Sequence, residues 1–260
     1  WQRRCQRWLS NRRIDVEALY GPLIVWAIQH WQNPGHTLHL ALDTTMLWNR
    51  CCVVVLSVVC HGRAIPLLWQ TLEHPSASVS ASVSIALLEK ADQLLAGFES
   101  ITLLADRAFP CDELIAWFRG RPRWSYVMRL RGDTEIHGTA APLGCQVRRL
   151  RLRRGQCRGF SAVRLWADGS QSVNLVIAHP TGLPVEEPWF LISNHAPDLD
   201  LVWSYEKRFC CEQLFRDQKS GVFHLADSGL REPGRIDRLL LVVAIAVLAS
   251  SLQGYALSLA

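Results

Sequence analysis

The sequence predicts an α/β fold: a mixed sheet flanked by helices, with a β-rich subdomain inserted into it. Three patterns carry that expectation. Strand-length apolar runs come early, at residues 38–42, 51–60 and 64–69. A largely apolar run at 101–105, resembling a fully buried strand, precedes a helical stretch and a further strand, the order of a parallel strand, crossover and strand whose faces need covering helices. From about Gly132 to Pro188 the chain changes to short segments broken by Gly and Pro, the pattern of hairpins. The 260 residues are 49% hydrophobic and 20% charged, too apolar for a disordered chain and sufficient for a large core.

In chain order, residues 1–32 read as helix, with Leu19, Leu23, Trp26 and Ala27 at helical spacing and Asn33 to His36 as the stop. Leu38, Leu40 and Leu42 alternate with His39, Ala41 and Asp43, the two-residue period of a strand. Two more strands follow, joined at His61 to Arg63. A Ser-rich stretch at 76–84 leads into a helix ending near Leu94. The next elements are a buried strand at 101–106, a helix at 111–119 and a strand at 124–130. After the β-rich stretch a strand at 186–193 returns to the core, and one helix runs from about Leu201 to Ser220. The apolar run 239–249 is too short to span a bilayer before Ser250, Ser251 and Gln253, and is expected as a buried closing helix. The expected division is a helical N-terminal segment at 1–36, a first core part at 37–131, the β-rich insertion at 132–187, a second core part at 188–233 and a C-terminal helix at 234–260.

Net charge is +5, and Lys90, Lys207 and Lys219 are the three lysines, leaving 25 of 28 basic residues as arginine. Arginine is planar and bidentate, which suits phosphate recognition, although GC-rich coding also raises its count. The nine cysteines are irregularly spaced with no CxxC pair, so they read as reduced, buried apolar residues of a cytosolic protein. The N-terminus has neither an apolar signal core nor a methionine and reads as that of a fragment. In the segment at 147–154, Arg149, Arg151 and Arg153 alternate with Leu150 and Leu152. As a strand it would carry an arginine ribbon on an apolar backing, a dense phosphate-binding surface or simply a solvated face.

Asp43 and Asp106 each close an apolar strand, where a rigid strand end can aim a carboxylate at a divalent cation, although either alone reads equally as a cap. On the 201–220 helix, at 100° per residue from Tyr205, Arg208 falls at about −60°, Glu212 at about −20° and Lys219 at about −40°, one narrow arc. His39 shares a face with Asp43 and reads as a satisfied histidine. Asp198 and Asp200 read as loop and cap residues.

The spacing of Tyr205, Arg208, Glu212 and Lys219 resembles the YREK signature of the DDE transposases of bacterial insertion-sequence family four. Asp43 in LALDTT and Asp106 in LLADRAF resemble that family's first and second acids. The resemblance runs from about Leu38 to Gly254. It implies an RNase H-like mixed sheet with the insertion between the second and third acids, and metal-dependent DNA cleavage and strand transfer at insertion-sequence ends. Asp43, Asp106 and Glu212 would be the catalytic residues, binding two Mg²⁺ or Mn²⁺ ions, and Tyr205, Arg208 and Lys219 would hold DNA phosphates, joined by Arg149, Arg151 and Arg153. The implied partners are transposon terminal inverted repeats and target DNA, with a homodimer in the synaptic complex and no membrane. The implied setting is the bacterial cytoplasm, at the nucleoid. Residues 1–36 would be the remnant of a DNA-binding region. The second motif has Ala108 where the family carries glycine, which tests whether that turn needs positive φ. The family also holds a flipped base on an aromatic residue; Trp124 and Trp166 are among those available. A nuclease of the same fold that cuts without joining, or a silent DNA-binding remnant acting as inhibitor, are the alternatives.

Overall fold

The structure, a computed structural model, describes residues 2–31, 35–181 and 187–259. The chain divides into two compact units, one of residues 1–99 and 209–260, the other of residues 100–208.

The first unit is built on an antiparallel meander, β1 (Leu38–Leu47), β2 (Cys51–Cys60) and β3 (Arg63–Glu73). The β2–β3 turn is His61-Gly62, both with positive φ (47° and 73°), the geometry that matches the twist of a two-residue hairpin. Central strand β2 is buried at every position but its last, as its apolar run, interrupted at Ser57, requires. Around the meander lie α1 (Gln2–Leu9), α2 (Val16–Trp31), α3 (Ala81–Leu94), α6 (Cys210–Lys219) and α7 (Pro233–Leu259). The first predicted helix is therefore two, and its expected stop falls partly outside the described residues, at 32–34.

Helix α2 turns a different face inward from the one its spacing suggested. Leu19, Leu23 and Trp26 are 54%, 47% and 54% exposed, whereas Tyr20, Ile24, Ala27, Ile28 and Trp31 are buried. Both stripes are apolar, so tertiary packing chooses between them. The Tyr20 hydroxyl donates to the Pro66 carbonyl at 2.9 Å. Gly21 leaves room for α3, where a Cβ would meet Leu94 Cδ1 at 3.1 Å.

Helix α7 runs on past Ser250, Ser251 and Gln253 to Leu259. Among the described residues it is the one helix long and apolar enough to cross a membrane. Its inner face, with Ile236, Leu240, Ala244 and Leu248 buried, lies along β3, while Val242 and Ile245 stay exposed. The expected buried closing helix is thus buried on one face and exposed on the other. Asp237 fastens the helix to the edge strand: its Oδ1 accepts from Thr71 N–H (3.0 Å) and Thr71 Oγ1 (2.6 Å), and its carbonyl accepts from Trp69 Nε1 (3.3 Å).

The second unit contains β4 (Ile101–Ala105), α4 (Asp112–Trp117), β5 (Trp124–Arg129), β6 (Glu135–Gly138), β7 (Ala141–Gln146), β8 (Cys157–Leu165), β9 (Gln171–Ala178), β10 (Trp189–Ser193) and α5 (Asp200–Glu206). Its strand order is β4-β5-β10-β9-β8-β6-β7. Strands β4 and β5 are parallel, joined through α4, and every other pairing is antiparallel. The strands between Gly132 and residue 181 extend the same sheet through β9 and β10. A meander, a helix and a parallel strand–helix–strand unit, then a β-rich extension and further helices, make the mixed, helix-flanked succession that the sequence predicts.

The long helix expected at 201–220 is interrupted. Helix α5 ends at Glu206, a 3-10 turn covers Lys207–Phe209, and α6 begins at Cys210. A 3-10 turn advances about 120° per residue instead of 100°, so the arc drawn from Tyr205 to Lys219 does not hold across the turn. Within continuous α6, Glu212 and Lys219 remain seven residues, two turns, apart on one face.

Candidate active site

Asp43 is the sixth residue of the ten in β1, opposite Val55 of β2, and not at the strand's end. Its neighbours Thr44 and Thr45 are β-branched and continue the ladder to Leu47. The carboxylate is half-buried, and its Oδ1 accepts the Thr44 N–H at 2.8 Å. In the same unit α6 packs against β1 and β3, with Glu212 exposed in its first turn and Lys219 half-buried in its last.

Asp106 does follow directly on its strand, one residue past Ala105. Its Oδ1 accepts the Ala108 N–H at 2.8 Å and its carbonyl the Phe109 N–H at 3.2 Å, a side-chain-closed turn that fixes the carboxylate. Ala108 is not among the residues with positive φ, so alanine serves this turn as well as glycine. Buried Phe109 anchors its far side.

The second unit also gathers Tyr205, Arg208 and Asp106. Tyr205 is 1% exposed, and Trp189 of β10 packs against it edge-on at 5.2 Å. The Arg208 guanidinium, on the 3-10 turn, lies 5.9 Å from the centre of the Tyr205 ring and is itself buried. Burial pushes the phenol pKa up; Arg208 and Arg129 pull it back, and the Asp106 charge raises it further. The phenol therefore stays a neutral hydrogen-bond donor at physiological pH. Arg129, the last residue of β5, has a buried Nε with no hydrogen-bond partner among the described residues. No local pattern in the sequence marks Trp189 or Arg129 for this group. They join it only because β10 and β5 are neighbours under α5.

Residues 147–154 are not a strand. Val147–Arg149 form a 3-10 turn and the rest is loop. The Val147 and Arg148 N–H groups donate to the Thr134 and Gly132 carbonyls, which curls the chain away from an extended course. The alternation survives as exposure: Arg149, Arg151 and Arg153 are exposed, Leu150 and Leu152 half-buried. None of the three arginines is in an ion pair among the described residues. Asp198 Oδ1 accepts the Asp200 N–H at 3.0 Å in the loop before α5, as the loop expectation has it, while the N-cap position is Leu199 and neither aspartate. Trp124 is core, edge-on to Trp117 at 5.0 Å, and Trp166 is half-buried in a turn with φ 59°. The nine cysteines are all free thiols, and burial pushes the Cys60 thiol up to about 11.

For a divalent cation the donors have the right chemistry: Asp43, Asp106 and Glu212 are hard oxygen ligands, two of them oriented by their own backbone. Among the described residues no three His, Cys, Asp or Glu side chains are already drawn together as a metal site.

No curated protein matches the chain. Solved structures give distant likenesses. A piggyBac transposase synaptic complex with hairpin DNA shares 12% identity at a TM-score of 0.46, over 92% of this chain and 54% of that one. This chain thus spans about half the length of that protein. Human endonuclease V shares 12% at 0.35, over 90% of this chain and 99% of that one. The Argonaute of Marinitoga piezophila, in complex with 5′ OH guide RNA and target DNA, shares 8% at 0.33, over 74% and 28%. Residues 49–249 match the family model of the transposase DDE domain. The matched span holds Asp106, Glu212 and all of Tyr205, Arg208 and Lys219, and begins six residues after Asp43. With most of its length in that match, the chain belongs to the transposase DDE domain family.

Proposed function

We propose that this domain cuts and joins DNA at the ends of a bacterial insertion sequence of family four, with Asp43, Asp106 and Glu212 holding two Mg²⁺ or Mn²⁺ ions. Family membership supports transposase chemistry and a divalent-metal requirement. The observation that carries the finer reading is the grouping of Tyr205 and Arg208 with Asp106, since a phosphate-gripping pair beside a metal-binding acid is what strand cleavage needs. A cation held by Asp43, Asp106 and Glu212 would polarise the scissile phosphate and lower the pKa of the attacking water or 3′-hydroxyl. The chain's own groups do the rest. Arg208 grips a phosphate through parallel N–H donors, Tyr205 donates from a neutral hydroxyl, and Lys219 adds a point charge. Arg149, Arg151 and Arg153 hold the DNA backbone further out. The partners are terminal inverted repeats and target DNA, in a synaptic homodimer, in the cytoplasm at the nucleoid. Residues 1–36 belong to a DNA-binding region, 132–187 to the insertion, and 37–131 with 188–233 to the catalytic core, closed by 234–260.

The test is Mg²⁺- or Mn²⁺-dependent nicking and joining of DNA carrying the element's own terminal repeats, wild type against Glu212→Gln. Metal-dependent joining that disappears in the variant is the expected result. Nicking without joining would make the domain a nuclease, and binding without either would make it a silent remnant.

A further inference from the structure

The loop that aims α5 is held by the β-rich insertion. Strand β8 carries a bulge: Phe160 pairs with Leu175 and Val163 with Val173, so Ser161 and Ala162 stand opposite Asn174 alone. Ala162 has φ 54°. Its N–H, displaced from the ladder, donates to Asn174 Oδ1 at 3.4 Å, and the same amide's Nδ2 donates to the His195 carbonyl at 2.7 Å. On the other side of this loop, Asn194 Oδ1 accepts the Tyr126 N–H at 3.1 Å and its Nδ2 donates to the Trp124 carbonyl at 3.2 Å. Between these clamps the Pro197 backbone lies directly on Gly159 of β8: a Cβ there would stand 2.1 Å from the Pro197 oxygen. Three residues after Pro197, α5 begins and carries Tyr205 toward Arg208 and Asp106.

We propose that Gly159 and Asn174 are positioning residues, which set the seat of the 195–199 loop and through it the placement of Tyr205 and Arg208. Gly159 is required because backbone occupies the space of its side chain. Any Cβ drives the loop off β8 by about 1 Å to reach ordinary van der Waals distance. The insertion thus acts on the catalytic group through packing. This rests on the proposed role of Tyr205 and Arg208.

The experiment compares Gly159→Ala and Asn174→Ala with Ile136→Ala, which opens a cavity at a fully buried site on β6 as a control for destabilisation alone. Two readouts are taken on folded protein: the metal-dependent nicking rate, and the ¹⁹F resonance of Tyr205 in protein labelled with fluorotyrosine, assigned by Tyr205→Phe. Gly159→Ala is expected to nick about 100-fold more slowly, the cost of a misplacement near 1 Å, and Asn174→Ala about tenfold more slowly. Both shift the Tyr205 resonance, and Ile136→Ala leaves rate and resonance at wild-type values. A Tyr205 resonance unmoved in Gly159→Ala and Asn174→Ala overturns the proposal, as does a wild-type nicking rate in both. If Gly159→Ala does not fold, Asn174→Ala decides alone by the same two readouts. If the wild type does not nick at all, the cleavage reading has failed, and the resonance still decides the positioning.

Discussion

Arg208 is buried against the Tyr205 ring, so its side chain has one place to be. A lysine there keeps the charge and loses the planar fork, and cannot make two parallel hydrogen bonds to one phosphate. Arg208→Lys is expected to slow metal-dependent nicking by about 10- to 100-fold, a loss of one to two charge-assisted hydrogen bonds, while the melting temperature falls only a few degrees. Equal nicking rates for variant and wild type would remove Arg208 from phosphate binding. Asp237 makes a separate prediction, in pH. Burial raises its carboxyl from 3.8 to about 6, against the two hydrogen bonds from Thr71. Below pH 4 folded and unfolded chains both hold this proton. Between pH 4 and 6 the unfolded chain releases it and the folded chain keeps it, so folding weakens as pH rises through that window. Above 6 the penalty is constant, on the order of 3 kcal/mol. Asparagine keeps an acceptor for Thr71 and has no proton to lose. Denaturant titrations of Asp237→Asn are therefore expected to show greater stability than wild type at pH 7 and a flatter profile between pH 4 and 6. A variant less stable at pH 7 would mean that the charge itself holds α7 to β3.

Elements are legible in the sequence where one residue type settles them and illegible where partners do. The apolar run of β4 and the Asp after it mark both strand and carboxylate. Thr44 and Thr45 are β-branched and suit a strand, but they do not fix that β1 runs four residues past Asp43, because a strand continues as far as its neighbour offers a ladder. The 3-10 turn at Lys207–Phe209 has no local signature either, and α2 offers two apolar stripes of which Tyr20 and Gly21 select one. Over 149–153 the alternation holds and the strand does not: alternate residues are exposed, yet bonds from Val147 and Arg148 to Thr134 and Gly132 curl the chain just before. For phosphate binding, exposure matters more than strand geometry. Replacing Arg149, Arg151 and Arg153 together by alanine is expected to lower the slope of log affinity against log salt by about 2 to 3, close to 0.9 for each phosphate no longer neutralised. An unchanged slope would leave these arginines as ordinary solvated surface.

Across the whole molecule, the three acids are far apart in sequence and carried by both units, Asp43 and Glu212 in one and Asp106 in the other. The motif spacing points to them because the residue types a metal demands are few and the signature around them is long. Spacing alone gives no distances. A cation that the folded chain binds and the unfolded chain does not adds to the stability of the folded chain by mass action. At free Mn²⁺ 100 times its dissociation constant, that addition is about 2.7 kcal/mol, a rise in melting temperature of about 5 °C for a chain of this size. Asp43→Asn, Asp106→Asn and Glu212→Gln should each abolish the rise. Thermal melts with and without Mn²⁺ across the four proteins read it. A rise that persists in all three variants would place the cation elsewhere and leave the acids without their proposed role. Loss of the rise in all three variants, each still folded without metal, would give each of these carboxylates a part in cation binding without any DNA substrate in the assay.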